Sequence, residues 1–162
     1  QSADRLHTLR LLSGWLRPGG CISLGETGVR KGQRLYGLVD LVSLGDNLSR
    51  RAKDAEELIY ADPGDSLVNW DASDLRSACE SAGFNDVKIE EEEQSTDRLV
   101  SNETLERWFA REARQGRPSF AQHLLGSLSN DELEVVEALF RRQLGGQIVP
   151  WRTSLAFMVA HR

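Results

Sequence analysis

The chain has 162 residues, with 20 Lys and Arg against 25 Asp and Glu, a formal charge of −5, and 40% of its residues are hydrophobic. That composition excludes dominant disorder, and a chain of this size can bury roughly two thirds of the surface its unfolded form exposes. Its apolar runs are far shorter than the ~20 residues of a membrane helix, no charged-then-apolar leader opens it, and Cys21 and Cys79 form no CxxC or Cys/His cluster. The expectation is a cytoplasmic chain with no membrane span, attached signal peptide, disulfide framework or zinc module.

Leu6, Leu9, Leu12, Trp15 and Leu16 recur at helical spacing, and Arg17-Pro18-Gly19-Gly20 supplies a stop and a tight turn. A glycine-bounded strand from Cys21 to Glu26 follows. After a loop from Thr27 to Gln33, the apolar stripe Leu35, Leu38, Val39 and Val42 predicts a short helix. Asp46-Asn47 interrupts it, and Ala52, Ala55, Leu58 and Ile59 predict a second. Asp62-Pro63-Gly64-Asp65 is turn chemistry. Asp71 is placed to cap a helix carrying Leu75, Ala78, Cys79 and Ala82, and Gly83 stands where a left-handed terminating residue is wanted.

Val87 and Ile89 alternate with Lys88 and Glu90, the pattern of a strand with one buried face. The carboxylates Glu90 to Glu93 repel one another unless solvated, so this strand is expected to reach water or a sheet edge. Adjacent strand residues point to opposite faces, which argues against a metal site there. From Asn102 a helix with Leu105, Trp108 and Phe109 on one face is expected to run until Gly116 and Pro118, and Phe120, Leu124 and Leu128 predict a short one. Ser129-Asn130-Asp131-Glu132 is a capping box opening a helix that carries Leu133, Val136, Phe140 and Leu144 and ends at Gly145-Gly146. Trp151 to Ala160 alternates with apolar residues on both faces, which predicts a central, doubly covered strand.

The segment Leu11-Leu12-Ser13-Gly14-Trp15-Leu16-Arg17-Pro18-Gly19-Gly20-Cys21-Ile22-Ser23-Leu24 resembles the helix, Pro-Gly-Gly turn and fifth strand of class I S-adenosylmethionine-dependent methyltransferases. Asp74-Leu75 through Ala82-Gly83-Phe84-Asn85-Asp86-Val87 is similar to that family's next helix, Ala-Gly-Phe turn and sixth strand. Trp151 to Ala160 matches its antiparallel seventh. The resemblance implies an α/β fold, α+β as a fragment. Its three-stranded mixed sheet would run 21–26, 151–160, 86–93, with the last strand central and antiparallel, covered by about six helices. It also implies that residues 1–162 form a single domain, the carboxy-terminal half of a longer one, with helical insertions at 33–61 and 102–144.

In that family the cofactor is held by a glycine-rich turn after the first strand, an acidic residue ending the second and a motif after the fourth. None of these is present, so the chain is expected to be catalytically incomplete, with no cofactor of its own and S-adenosylmethionine only in a full domain. Gly25 to Gly32 lacks the Gly-Lys-Ser/Thr ending of a phosphate loop. The partners implied are the N-terminal region of the same protein, or a second copy across the edge of strand 21–26. A weaker resemblance rests on Glu57-Leu58-Ile59-Tyr60-Ala61-Asp62-Pro63-Gly64-Asp65 with Val68-Asn69-Trp70. It is to the region appended to a replication-associated recombination AAA ATPase in cyanobacterial fusion proteins, and it implies an accessory domain whose ATPase motifs lie elsewhere.

Two sets of side chains stand out as candidate sites. Arg30, Lys31 and Arg34, flanked by Glu26 and Tyr36, follow the first strand at its C-terminal end, where open α/β sheets place ligands; they are candidate substrate or phosphate contacts, against ordinary loop solvation. Arg107, Arg111 and Arg114 recur at helical spacing with Arg117 beyond, a stripe that could meet nucleic-acid phosphates bidentately. The competing reading is a solvated face paired with Glu103, Glu106 and Glu112, which the net negative charge favours. His7, His123 and His161 are isolated in sequence, and Trp15, Trp70, Trp108 and Trp151 read as core anchors.

Overall fold

The computed structural model describes residues 2–62, 64–65, 67–113 and 116–162, with side chains for these except 2–4 and 29. The chain divides into two compact units, one of residues 1–32, 62–95 and 152–162, the other of 33–61 and 96–151. Each has its own hydrophobic core.

In the first unit, α1 (Ser2–Trp15) gives way to a turn in which Gly19 takes φ 79° and the Gly20 amide donates to the Arg17 carbonyl at 2.8 Å. Strand β1 (Cys21–Thr27) follows. Asp71 opens α3 (Ala72–Ser81) with a reciprocal cap: its carboxylate accepts from the Ser73 and Asp74 amides, and Asp74 accepts from the Asp71 amide at 3.0 Å. Gly83 ends that helix at φ 91°, a conformation that a side chain would strain. The two remaining strands are β2 (Asn85–Leu99) and β3 (Ile148–His161).

The sheet order is β1, β3, β2, with β3 central and antiparallel, as the resemblance of its turn and strand segments implies. The second and third predicted strands are longer than expected, since β2 continues past Glu93 and β3 starts before Trp151. Ile22 and Leu24 of β1 stand opposite Ala160 and Met158, and this face packs against Leu9 of α1 and Leu75 and Cys79 of α3. On the opposite face Ser23 and Gly25 stand opposite Val159 and Phe157, which remain 39% and 44% exposed. Strand β3 is therefore covered on one face only in this unit, where double cover was expected. Alternating apolar residues show which side chains can be buried, and they do not supply the layer that buries them.

The second unit begins with 3-10 turns, Leu35–Leu38 and Val42–Leu44, in place of the predicted short helix, and Val42 is 82% exposed. Helix α2 (Gly45–Ala61) starts at a glycine with φ 74° and runs through Asp46-Asn47 without a break. Asp46 lies in its first turn, where a carboxylate complements the free amides. Helix α4 (Asn102–Trp108) stops well before the predicted end. Phe109 caps it and packs edge-on against Phe120 and Phe140, while the Ala110 carbonyl accepts from the Ser119 hydroxyl at 2.6 Å. Ser119 and Ser129 each form a capping box, opening α5 (Phe120–Leu124) and α6 (Asn130–Leu144). Leu105, Leu124, Leu133, Val136 and Phe140 are the centre of this core, to which α2 contributes Ala52 and Ala55. The stretches 33–61 and 102–144, expected as insertions, thus share one core.

Candidate functional site

A half-open cleft of about 470 Å³ lies in the first unit, between α1, the C-terminal end of β1 and the segment around Trp70. Its walls are apolar, formed by Leu9, Leu12, Leu24, Trp70 and Leu75, with the exposed Leu67 at the rim. Arg5, Thr8, Glu26 and Thr27 add the polar groups. Strand alternation explains Glu26: it stands opposite Ala156, on the same face as Ile22 and Leu24, beyond the packed part of that face. The Arg5 guanidinium lies 5.0 Å from the centre of the Trp70 ring. The arrangement can bind a small amphipathic molecule. Among the described residues no group of three His, Cys, Asp or Glu side chains is placed to hold a metal ion.

The other residues of the basic group fall into separate ion pairs. Arg30 meets Asp71 at 3.4 Å, and the Lys31 ammonium donates to both oxygens of Glu91 at 2.8 Å. Both pairs belong to the first unit, as does Glu26. Arg34 and Tyr36 belong to the second, where they converge on Glu57: the guanidinium grips both carboxylate oxygens and the phenol donates at 2.8 Å. Arg34 also stacks 3.6 Å from the centre of the Tyr60 ring. Arg34 holds the Glu57 carboxyl below its ordinary range, and the bond to Glu57 raises the Tyr36 phenol. Burial pushes Tyr60 up to about 12.

Glu56, beside this cluster, escaped the sequence reading. It is fully buried and accepts the Leu35 amide at 2.5 Å and the Tyr36 amide at 2.9 Å. Burial raises its carboxyl to about 7, against the pull of those two amides and Arg34. The signal was its spacing: with Ala52, Ala55 and Ile59 it occupies the inward stripe of α2, whereas Leu58, assigned to that stripe, is 63% exposed.

The arginine stripe does not form a helical face. Arg107 lies in the last turn of α4, and Arg111 lies beyond the helix, 3.3 Å from Glu137. Arg117 follows in the connection to α5, and Arg114 lies outside the described residues, as does Pro63 of the predicted turn. Trp70 is a core anchor and Trp108 stacks on Trp151 at 6.1 Å, but Trp15 is 77% exposed. His161 faces Cys21 across the β1–β3 ladder, a pairing hidden by their distance in sequence. Among the described residues no helix is long and apolar enough to cross a membrane. No protein-family model matches this chain, and no curated protein matches it.

Proposed function

We propose that the chain is the C-terminal portion of a class I methyltransferase-like domain, catalytically incomplete by itself, supplying three strands and substrate-side helices. The observation that carries this reading is the strand order: the last strand lies antiparallel between two others that follow a Pro-Gly-Gly turn and an Ala-Gly-Phe turn. The uncovered face bearing Phe157 and Val159 supports it, because such a half would leave a sheet face for the rest of the domain. Strand β1 ends the sheet order, so it offers an edge to that remainder or to a second copy.

The residues present do not fit S-adenosylmethionine. The glycine-containing loop after β1 uses its groups internally, with the Gly28 amide donating to the Ser154 carbonyl at 2.8 Å and the Lys31 amide to the Gly28 carbonyl at 3.1 Å. No step of methyl transfer is therefore assigned to this chain. Calorimetric titration with S-adenosylmethionine tests the incompleteness. No saturable heat is expected, and saturable micromolar binding would overturn the reading.

A further inference from the structure

We propose that residues 33–44 form a strap that Glu56 fastens to α2 while its carboxyl is uncharged and loosens when that carboxyl ionises. This is independent of the methyltransferase reading, because every residue involved lies in the second unit. The strap has little regular structure of its own, only the 3-10 turns Leu35–Leu38 and Val42–Leu44. At its start the Leu35 and Tyr36 amides donate to the two oxygens of Glu56, and the Arg34 and Tyr36 side chains reach Glu57 beside it. Further on, the Asp40 amide donates to Gln143 Oε1 at 2.7 Å, and the Asp40 carbonyl accepts from Gln143 Nε2 at 3.0 Å. The Ser49 hydroxyl donates to the Leu41 carbonyl at 2.7 Å. Leu35 and Leu41 reach the core, but Val42 is exposed, and a cavity of about 420 Å³ lies between the strap and Asp46, Ser49 and Lys53 of α2. The strap is held at points rather than packed along its length, so it can lift without dismantling the core beneath it.

Of these ties, only the one to Glu56 depends on a fully buried ionisable group. The elements that meet there bring Arg34 and Tyr36 from the strap, Lys53, Glu57 and Tyr60 from α2, and His123 from α5. Arg34 favours a charge on Glu56 and Glu57 opposes it, but Arg34 is bonded to Glu57, and Lys53 lies over the Tyr36 ring at 5.9 Å. Burial therefore dominates, and it penalises the ionised form. When the strap lifts, Glu56 reaches water and that penalty disappears, so ionisation favours the lifted state. With the carboxyl raised to about 7 in the closed state, the hold is complete below the ordinary 4.5 and is lost as pH rises through neutrality.

The test is native-state hydrogen exchange of the whole chain, followed residue by residue by nuclear magnetic resonance near pH 5 and near pH 7.5, with each rate referred to the intrinsic rate at that pH. Protection of the Leu35 and Tyr36 amides is expected to be roughly fiftyfold greater at the lower pH. At the higher pH both should exchange faster than the amide of buried Phe140 in α6, because the strap opens without global unfolding. E56Q is expected to abolish the pH dependence of the two strap amides, and H123Q to keep it. Equal strap protection at the two pH values would overturn the proposal, as would strap amides no faster than Phe140 at the higher pH. So would a folded E56Q that keeps the dependence, or a folded H123Q that loses it. The wild-type measurements decide even where a variant does not fold, and failure here would leave the S-adenosylmethionine result untouched.

Discussion

At the scale of single residues, buried Glu56 makes the clearest demand on solution conditions. Its carboxyl titrates at about 7 when folded and at the ordinary 4.5 when unfolded, so between those values the native state holds more protons. Unfolding free energy attributable to this group therefore rises as pH falls from about 7 toward 4.5. At about 1.4 kcal/mol per unit the effect is on the order of 3 kcal/mol. Urea unfolding near pH 5 and pH 7.5 should show that gain, and E56Q should flatten it; an unchanged slope in E56Q would assign the titration elsewhere. Glu57, held low by Arg34, acts with the opposite sign and only in stronger acid. The two thiols differ as sharply. Cys21 is exposed, whereas Cys79 is fully buried against Met158 and burial raises its thiol. Iodoacetamide should label Cys21 in the folded protein and reach Cys79 only on unfolding, as peptide mass spectrometry would show.

At the scale of elements, local capping chemistry is the part most plainly written in the chain. Ser129 and Glu132 form the box their spacing announces, with Arg51 gripping the same glutamate through both oxygens. S129A should lower stability by about 1 kcal/mol. G83A should cost a similar amount, about 1 kcal/mol, through its positive φ alone, since the nearest atom to an added Cβ is Ser13 Oγ at 3.9 Å. Thermal unfolding reads both changes. Where periodicity misled, tertiary contacts decided. The Phe109, Phe120 and Phe140 cluster ends α4 where its sequence could have continued, so Arg111 and Arg117 lie beyond the helix. The cleft was legible only in Glu26, because Arg5 and Trp70 are 65 positions apart and no local pattern announces their stacking. Glu56 was legible as a charged residue on an apolar stripe.

At the scale of the whole molecule, two cores divide the burial. L133A removes a fully buried side chain from the second. Hydrogen exchange should therefore show protection lost in 33–61 and 96–151 more than in 62–95. Equal loss in both would mean that one cooperative block spans the chain. The central place of the last strand was readable from its apolar alternation and the full strand order from the resemblance its turn motifs carry, whereas the missing layer over one sheet face was not. The central claim is that the part of the sheet in the first unit is covered on one side by α1 and α3 and open on the other at Phe157 and Val159. The most direct test compares adjacent residues of β3 by urea unfolding: M158A, on the covered face, against F157S, on the open one. The predicted losses are about 2–4 kcal/mol for M158A and less than about 1 kcal/mol for F157S. Equal, large losses at both positions would contradict an open face.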